Sequence, residues 1–487
     1  MKDKDFEDIS EKFTKFDNDK DAKEYHLKHI AELSEKSATK ELAELKEKLI
    51  KDTEQQNQTI EQQLVAKYHF KSMIDNKEIW YYDSTKGIYL KDANWIIERE
   101  CIRDNPDVRT TNVNDIVNRI IWSNYTNRNE FDRNIEWLAF ENCMVNLLTG
   151  ETKKHSPNNM ATIQIPQTYL KLHKTPHIPT PQKILGFLHD VMPSWDDVET
   201  VLDFMAYCLW RGFPFHKWLI FTGSGRNGKG VTTELITRLL GHDNVSNEEL
   251  DRILENNFAT ANLYGRLANI DADLSSETLK KTGKLKKLSG NDWIIAEQKF
   301  KTAFQFKNCA KLIFSANKMP ITPDETDAYF ARIIMISFPN QYIGDKADPY
   351  LIDKLATPEE MSLLLSLLIK RLPRVLKSGI STKKTDDIIQ YNYMKYKESS
   401  DPIGLFIELA IKRNQGYWQT KDEVYTAYEQ FCNEKNLPKE SPGTFTRRLH
   451  DENFIDKQKR IDGASPRVWL DIQLKQYKQT EQLTLED

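Results

Sequence analysis

Residues 223–230 read Gly-Ser-Gly-Arg-Asn-Gly-Lys-Gly, and this octet constrains the chain more than any other feature. It follows an apolar run at 218–222 and opens a helical pattern over 231–240. A strand, a glycine-rich turn and a helix in that order make a phosphate-binding loop. Glycines let backbone N–H groups close around phosphate oxygens, and the helix N-terminus adds partial positive charge. The expected cradle is Gly223, Ser224, Gly225, Arg226, Asn227, Gly228, Lys229, Gly230 and Val231, with Lys229 directed at the β- and γ-phosphates of ATP. Such loops usually continue Lys-Ser or Lys-Thr, whose hydroxyl binds Mg²⁺. Here position 230 is glycine, and Thr232 and Thr233 lie further along the helix. Mg²⁺ is therefore expected to rest on water and on acids downstream.

Those acids follow the apolar stretch 267–270, where Asp271 and Asp273 end a short predicted strand. Acids at that end of a parallel strand can hold Mg²⁺ and orient the attacking water. Segments 293–298 and 303–306 read as paired strands joined by a tip with Lys299, Phe300 and Lys301. Cations flanking an aromatic suit a nucleic-acid backbone and base; a solvated basic turn explains the same residues equally well. A further strand at 311–316 ends in Asn317, placed to orient water or the γ-phosphate, or simply to make a turn. Arg332 precedes another apolar strand and reads either as a finger supplied to a neighbouring subunit or as a surface ion-pair residue.

The 487 residues suggest three or four domains. Residues 1–62 are charged and helical in pattern, with Leu27, Ile30, Leu33, Leu42, Leu45 and Leu49 at helical spacing. Residues 63–181 read as an α+β region closing in a proline-bearing linker, and 182–378 as an α/β domain with a mostly parallel sheet. Over 400–472, helical patterns and a basic ribbon read as a winged helix, with Arg447, Arg448, Lys457, Lys459 and Arg460 as its DNA contacts. Residues 473–487 read as a disordered polar tail.

The five cysteines are scattered and never form a C-x-x-C pair, which argues against a disulfide framework or a zinc site and for a reducing cytoplasm. No apolar run reaches the length of a membrane span, and the polar N-terminus is not a secretory signal. A net charge of −4 identifies no partner by itself.

Taken in order, GSGRNGKG, LANIDADLS, LSGNDWIIAEQKFKTAFQFKN, KLIFSANKMP and DAYFARIIMISFP resemble the superfamily 3 helicases. The similarity is to the phage, plasmid and poxvirus primase-helicase branch and covers about residues 63–472. The resemblance implies AAA+-like cores in a ring, six subunits in the family, with ATP held between neighbours and single-stranded or forked DNA in the channel. It assigns the phosphate lysine to Lys229, the acidic motif to Asp271 and Asp273, the polar sensor to Asn317, the finger to Arg332 and the channel hairpin to Lys299, Phe300 and Lys301. It implies 3′ to 5′ travel, and location in the host cytoplasm for a virus- or phage-encoded chain. About 60 residues precede the shared region, too few for a priming polymerase, so a separate primase or initiator is an expected partner. The competing reading is an origin-binding initiator that melts DNA locally; in a small-molecule kinase the hairpin and basic C-terminus would be surplus, and an inactive AAA+ scaffold is kept open by Gly230.

Overall fold

The computed structural model describes residues 59–171, 179–275, 281–299, 303–320, 322, 324, 326–344, 347–381, 388–435, 437, 439–460 and 465–475. The expected helices of the first 58 residues and the tail beyond 475 lie outside the described residues. The chain divides into two compact units. The first takes the residues up to Ser72 with Ile79–Tyr81 and Lys91–Tyr125; the second takes Met73–Glu78, Tyr82–Leu90 and everything from Thr126.

In the first unit the helix Ile60–Tyr68 starts at a reciprocal cap, in which Thr59 and Gln62 satisfy each other's backbone N–H. Helices Asn94–Asp104 and Thr110–Ser123 pack with it around Leu64, Phe70, Ile79, Ile97, Cys101, Val113 and Ile120. A short antiparallel pairing sets Lys71 opposite Trp80 and Ser72 opposite Ile79.

The second unit is built on five parallel strands: β1 (Trp218–Thr222), β2 (Val245–Ser246), β3 (Ala268–Asp271), β6 (Lys311–Ala316) and β7 (Ile333–Ser337). Between β3 and β6 an antiparallel hairpin, β4 (Trp293–Ala296) and β5 (Phe304–Lys307), leaves the sheet. The order across the sheet is β2-β3-β6-β1-β7, so β6 lies between the glycine-loop strand and the acidic strand. All residues of β3 and β6 are buried. That continuous burial is what helices on both faces of a parallel sheet produce. The core runs from Leu219 and Phe221 through Leu235, Ile236 and Leu239 to Leu364, Leu365 and Leu368 of the long helix Pro358–Ser378.

Ahead of this sheet, strands Trp137–Phe140, Met144–Asn146, Thr152–Lys153 and Gln164–Ile165 form a small sheet of their own. Arg211 ties it down: Nη1 meets Asp132 Oδ1 at 2.6 Å, while Nη2 donates to the Asn134 and Trp137 carbonyls.

At the C-terminal end, helices Pro402–Ala410, Lys421–Glu434 and Pro442–Asp451 pack on a three-stranded antiparallel sheet. Its strands are Ile411–Thr420, Asp456–Gln458 and Arg467–Leu474, and its core is Phe406, Tyr428, Phe431, Phe445 and Trp469. The first of these helices ends at Ala410, where the chain enters a strand; Leu474, read as tail, pairs with Ile411.

Candidate nucleotide-binding site

The glycine octet leaves β1 at the C-terminal edge of the sheet and enters the helix Lys229–Leu240. Gly225, Arg226 and Gly228 are left-handed, at φ 94°, 51° and 90°. Two glycines are required by contact. A Cβ at Gly228 would lie 2.5 Å from Val191 Cγ1, and one at Gly223 would lie 2.7 Å from the Phe338 carbonyl. These are distances at which no side chain fits.

Lys229 is the hub. Its Nζ donates to the Gly223 carbonyl at 2.6 Å, to Asn227 Oδ1 at 3.2 Å and to Asn317 Oδ1 at 3.1 Å. Burial lowers the ammonium's pKa below the usual lysine range, and the charge of Asp273 pulls it back upward. Lys229, Asn317 and Asp273 thus converge at the edge where β1, β3 and β6 end. Asp271 plays a different part. It is buried; its Oδ2 accepts the Leu250 N–H at 3.0 Å and its Oδ1 the Asp273 N–H at 3.3 Å. Burial raises its pKa against these two bonds. Asp271 fixes the turn that presents Asp273, which is exposed.

For Mg²⁺, Asp273 is the accessible carboxylate and Asp271 supports it. Hard oxygen donors with water and phosphate completing the shell fit this small ion. The threonines are committed elsewhere: Thr232 Oγ1 donates to the Gly228 carbonyl and Thr233 Oγ1 to that of Gly230, each at 3.0 Å. A Cβ at Gly230 would meet nothing within 4 Å, so glycine there is not required by packing. Among the described residues, no three His, Cys, Asp or Glu side chains cluster as a protein-only metal site.

Sequence reasoning missed the segment after β7. Asn227 Nδ2 donates to the Phe338 carbonyl at 3.2 Å, Tyr342 N–H to the Arg226 carbonyl at 2.8 Å, and Gln341 Nε2 to Ser224 Oγ at 2.9 Å. This segment holds the glycine loop in shape before any ligand arrives. No local sequence signal marks it, because the partners are over a hundred residues apart.

Arg332 lies at the other edge of the sheet. Its carbonyl accepts the Trp218 N–H, where β1 begins. The glycine loop starts where Ser337 pairs with Thr222; five residues of strand put about 15 Å between them. Arg332 therefore does not join its own chain's site. Its Nη1 donates to the Ala328 carbonyl, and its buried Nε has no hydrogen-bond partner among the described residues. Burial depresses the nearby Lys217, and the charge of Arg332 depresses it further.

Lys299 is exposed beyond β4, while Phe300 and Lys301 lie outside the described residues. In the C-terminal module Arg447, Lys457 and Arg460 are exposed. Lys459 sits 3.9 Å over the Trp418 ring, and Arg448 is engaged by Asp401 at 2.9 Å and Glu452 at 2.6 Å.

Residues 5–193 match the family model described as D5 N terminal like, and residues 221–332 match a family of unknown function, DUF5906. “Putative helicase L207/L206” of Acanthamoeba polyphaga mimivirus is 23% identical over 301 residues, 57% of this chain and 30% of the relative. “Putative helicase 022R” of Frog virus 3 is 26% identical over 271 residues, 51% of this chain and 28% of the relative. These matches support a phage or viral primase-helicase protein. The chain spans less than a third of the length of these two relatives. A solved structure titled as the NrS-1 C-terminal region aligns at 12% identity and TM-score 0.46, covering 84% of this chain and 97% of that one. Among the described residues of this chain, no helix is long and apolar enough to cross a membrane.

Proposed function

We propose that this chain is the ATP-driven motor of a replicative DNA helicase, working as a ring, six subunits in the family reading, on single-stranded DNA. The observation that carries the reading is the convergence of Lys229, Asn317 and Asp273 at one edge of a parallel sheet, on a glycine loop that opens a helix. Helix N-terminal N–H groups and Lys229 bind the phosphates. Lys229 exchanges the Gly223 carbonyl for phosphate oxygens, and its charge offsets the negative charge spread over the γ-phosphoryl oxygens. Asn317 orients the attacking water by hydrogen bonding. Asp273, steadied by Asp271, would hold Mg²⁺, whose charge would offset that of the phosphates when bound.

Arg332 supports the ring. It is remote from its own glycine loop, so as a finger it would serve the nucleotide of another subunit. The hairpin β4–β5 with Lys299, Phe300 and Lys301 grips the strand in the channel, with 3′ to 5′ travel as the family reading. The C-terminal module is read as a winged helix whose exposed Arg447, Lys457 and Arg460 meet DNA phosphates, so Arg447 on the last helix also favours the second reading, an origin-binding initiator.

The test is ATP hydrolysis with and without single-stranded DNA, beside size determination with ATP present. Stimulated hydrolysis by an oligomer supports the motor. Hydrolysis indifferent to DNA sinks it, and a footprint on a defined duplex without strand separation favours the initiator.

A further inference from the structure

The helix Asn94–Asp104 carries Trp95, Arg99 and Arg103 at spacings of four, so they share one face. Trp95 is 50% exposed, although an indole gains by burial. The Arg99 guanidinium lies 5.0 Å over its ring, and Tyr81 meets it edge-on at 6.5 Å. Tyr81 in turn meets Tyr68 at 6.4 Å, with Lys67 Nζ 4.8 Å over the Tyr68 ring. An aromatic row, Trp95–Tyr81–Tyr68, is therefore flanked by cations.

One carboxylate organises those cations. Glu100 is 4% exposed and accepts from Lys67 Nζ at 3.1 Å, Tyr68 OH at 2.9 Å, Arg99 Nη2 at 3.2 Å and Arg103 Nη2 at 2.5 Å. A single cation would neutralise a buried glutamate. Here three converge, and each keeps half or more of its side chain in solvent, at 51%, 55% and 69%. The surplus positive charge is held in fixed positions at the surface, beside a ring that a base can cover.

We propose that this face of the first unit binds single-stranded nucleic acid, with Lys67, Arg99 and Arg103 on successive phosphates and Trp95 stacked on a base. Cations tracking a backbone beside an aromatic platform are the features single strands require. A duplex offers no unstacked base to Trp95. The surface is built from residues of the first unit and uses none of the glycine loop, the β4–β5 hairpin or the C-terminal module, so it stands or falls independently of the motor reading.

The test uses the full chain without nucleotide and a labelled oligothymidylate, titrated over a range of salt. R99Q/R103Q removes two charges and leaves a shorter, neutral amide donor at each position. It should flatten the slope of log affinity against log salt by about 1.4, since each single-strand phosphate contact contributes about 0.7. Trp95→Ala should weaken binding by roughly tenfold or more, and Trp95→Phe should restore much of it. Photocrosslinking of the oligonucleotide should label the peptide bearing Trp95. Unchanged affinity and slope in variants that melt like the native chain would overturn the proposal, as would an equal loss of duplex and single-strand binding on Trp95→Ala. Basal ATP hydrolysis, measured on the same preparations, should not change.

Discussion

Lys229 Nζ donates to Asn317 Oδ1 at 3.1 Å, joining the helix that follows β1 to the residue that ends β6. The amide and the ammonium therefore face one small volume from adjacent strands. Lys229→Ala should lower ATP turnover by at least ~100-fold, the scale of losing one preorganised charge-stabilising donor. Asn317→Ala should lower turnover while leaving nucleotide affinity nearly unchanged, because water orientation belongs to the chemical step. Turnover rates and nucleotide affinities measured on both variants check this. A Lys229→Ala chain that hydrolyses ATP normally defeats the assignment.

Arg332 makes the opposite prediction about geometry. It lies at the start of β7, away from its own glycine loop, so its removal cannot weaken that loop's grip on nucleotide. Arg332→Ala should bind ATP normally and hydrolyse it about 1,000-fold more slowly, as loss of an arginine finger does. Mixing Arg332→Ala with Lys229→Ala chains should recover part of the activity at interfaces that pair an intact loop with an intact arginine. Activity that stays flat at every mixing ratio, with subunit exchange shown by labelled chains, argues against shared sites.

Lys311 gives a pH prediction. Its side chain is fully buried, donating to the Trp210 carbonyl at 2.7 Å and the Cys309 carbonyl at 2.9 Å between the Tyr207 and Phe213 rings. Burial pushes its ammonium down to about 8 from 10.5, with Cys309 and Cys208 opposing. Below about pH 8 folded and unfolded chains both hold the proton, and the folded chain bears the desolvation cost. Between about pH 8 and 10.5 the unfolded chain holds more of that proton, so rising pH moves the balance toward the folded state. Each pKa unit corresponds to about 1.4 kcal/mol. The native Tm minus that of Lys311→Met should therefore increase from pH 7 to pH 10, other groups cancelling. A difference that does not vary with pH would place the ammonium in a wet site.

In the C-terminal module the two adjacent arginines separate. Arg448 is held by Asp401, which also caps the helix Pro402–Ala410 by accepting the Gly404 N–H at 2.9 Å. Arg447 is exposed. Arg447→Gln should weaken duplex binding and flatten its salt dependence by about 0.9 without moving Tm. Arg448→Gln should lower Tm, because it leaves a half-buried aspartate with one partner fewer. Equal salt slopes in the native and Arg447→Gln chains would remove Arg447 from the DNA surface.

The sequence made the strand–loop–helix legible because each part is local: β1, the glycine octet and β6 fall where apolar runs and turn residues place them. Lys229 and Asn317 were assigned to one site by family resemblance, and the sheet order brings them together. Asp271 and Asp273 were read together as the acidic motif, with the principal acid left open; the burial of Asp271 and its two backbone bonds were invisible to spacing. The grip of Phe338, Gln341 and Tyr342 on the loop was hidden because it spans over a hundred residues of chain. Residues 411–420 carry no local strand signal because their alternation is polar, Ile411 being the one buried residue of the strand. Its stability comes from pairing with Arg467–Leu474, a partner no local window contains.

The β4–β5 hairpin separates a motor from an ATPase. Ile294, Ala296 and Phe306 anchor it in the core, while Trp293, Ile295 and Lys307 stay on its outer face. Register pairs Ala296 with Phe304, and Lys299 follows β4 with its side chain exposed. Phe300 and Lys301 fall outside the described residues, and their place at the tip is the sequence reading. If the lysines hold successive phosphates, replacing Lys299 and Lys301 with Ala should leave basal hydrolysis nearly intact. The same change should abolish stimulation by single-stranded DNA and strand separation together, because every subunit of a ring loses its grip. Phe300→Ala should give a milder defect, since stacking contributes only about 1–3 kcal/mol per base. ATP turnover and fork unwinding, measured on the same preparations, distinguish the cases. Unwinding that survives the double lysine change would move the channel contact elsewhere and leave the turn as a solvated basic loop.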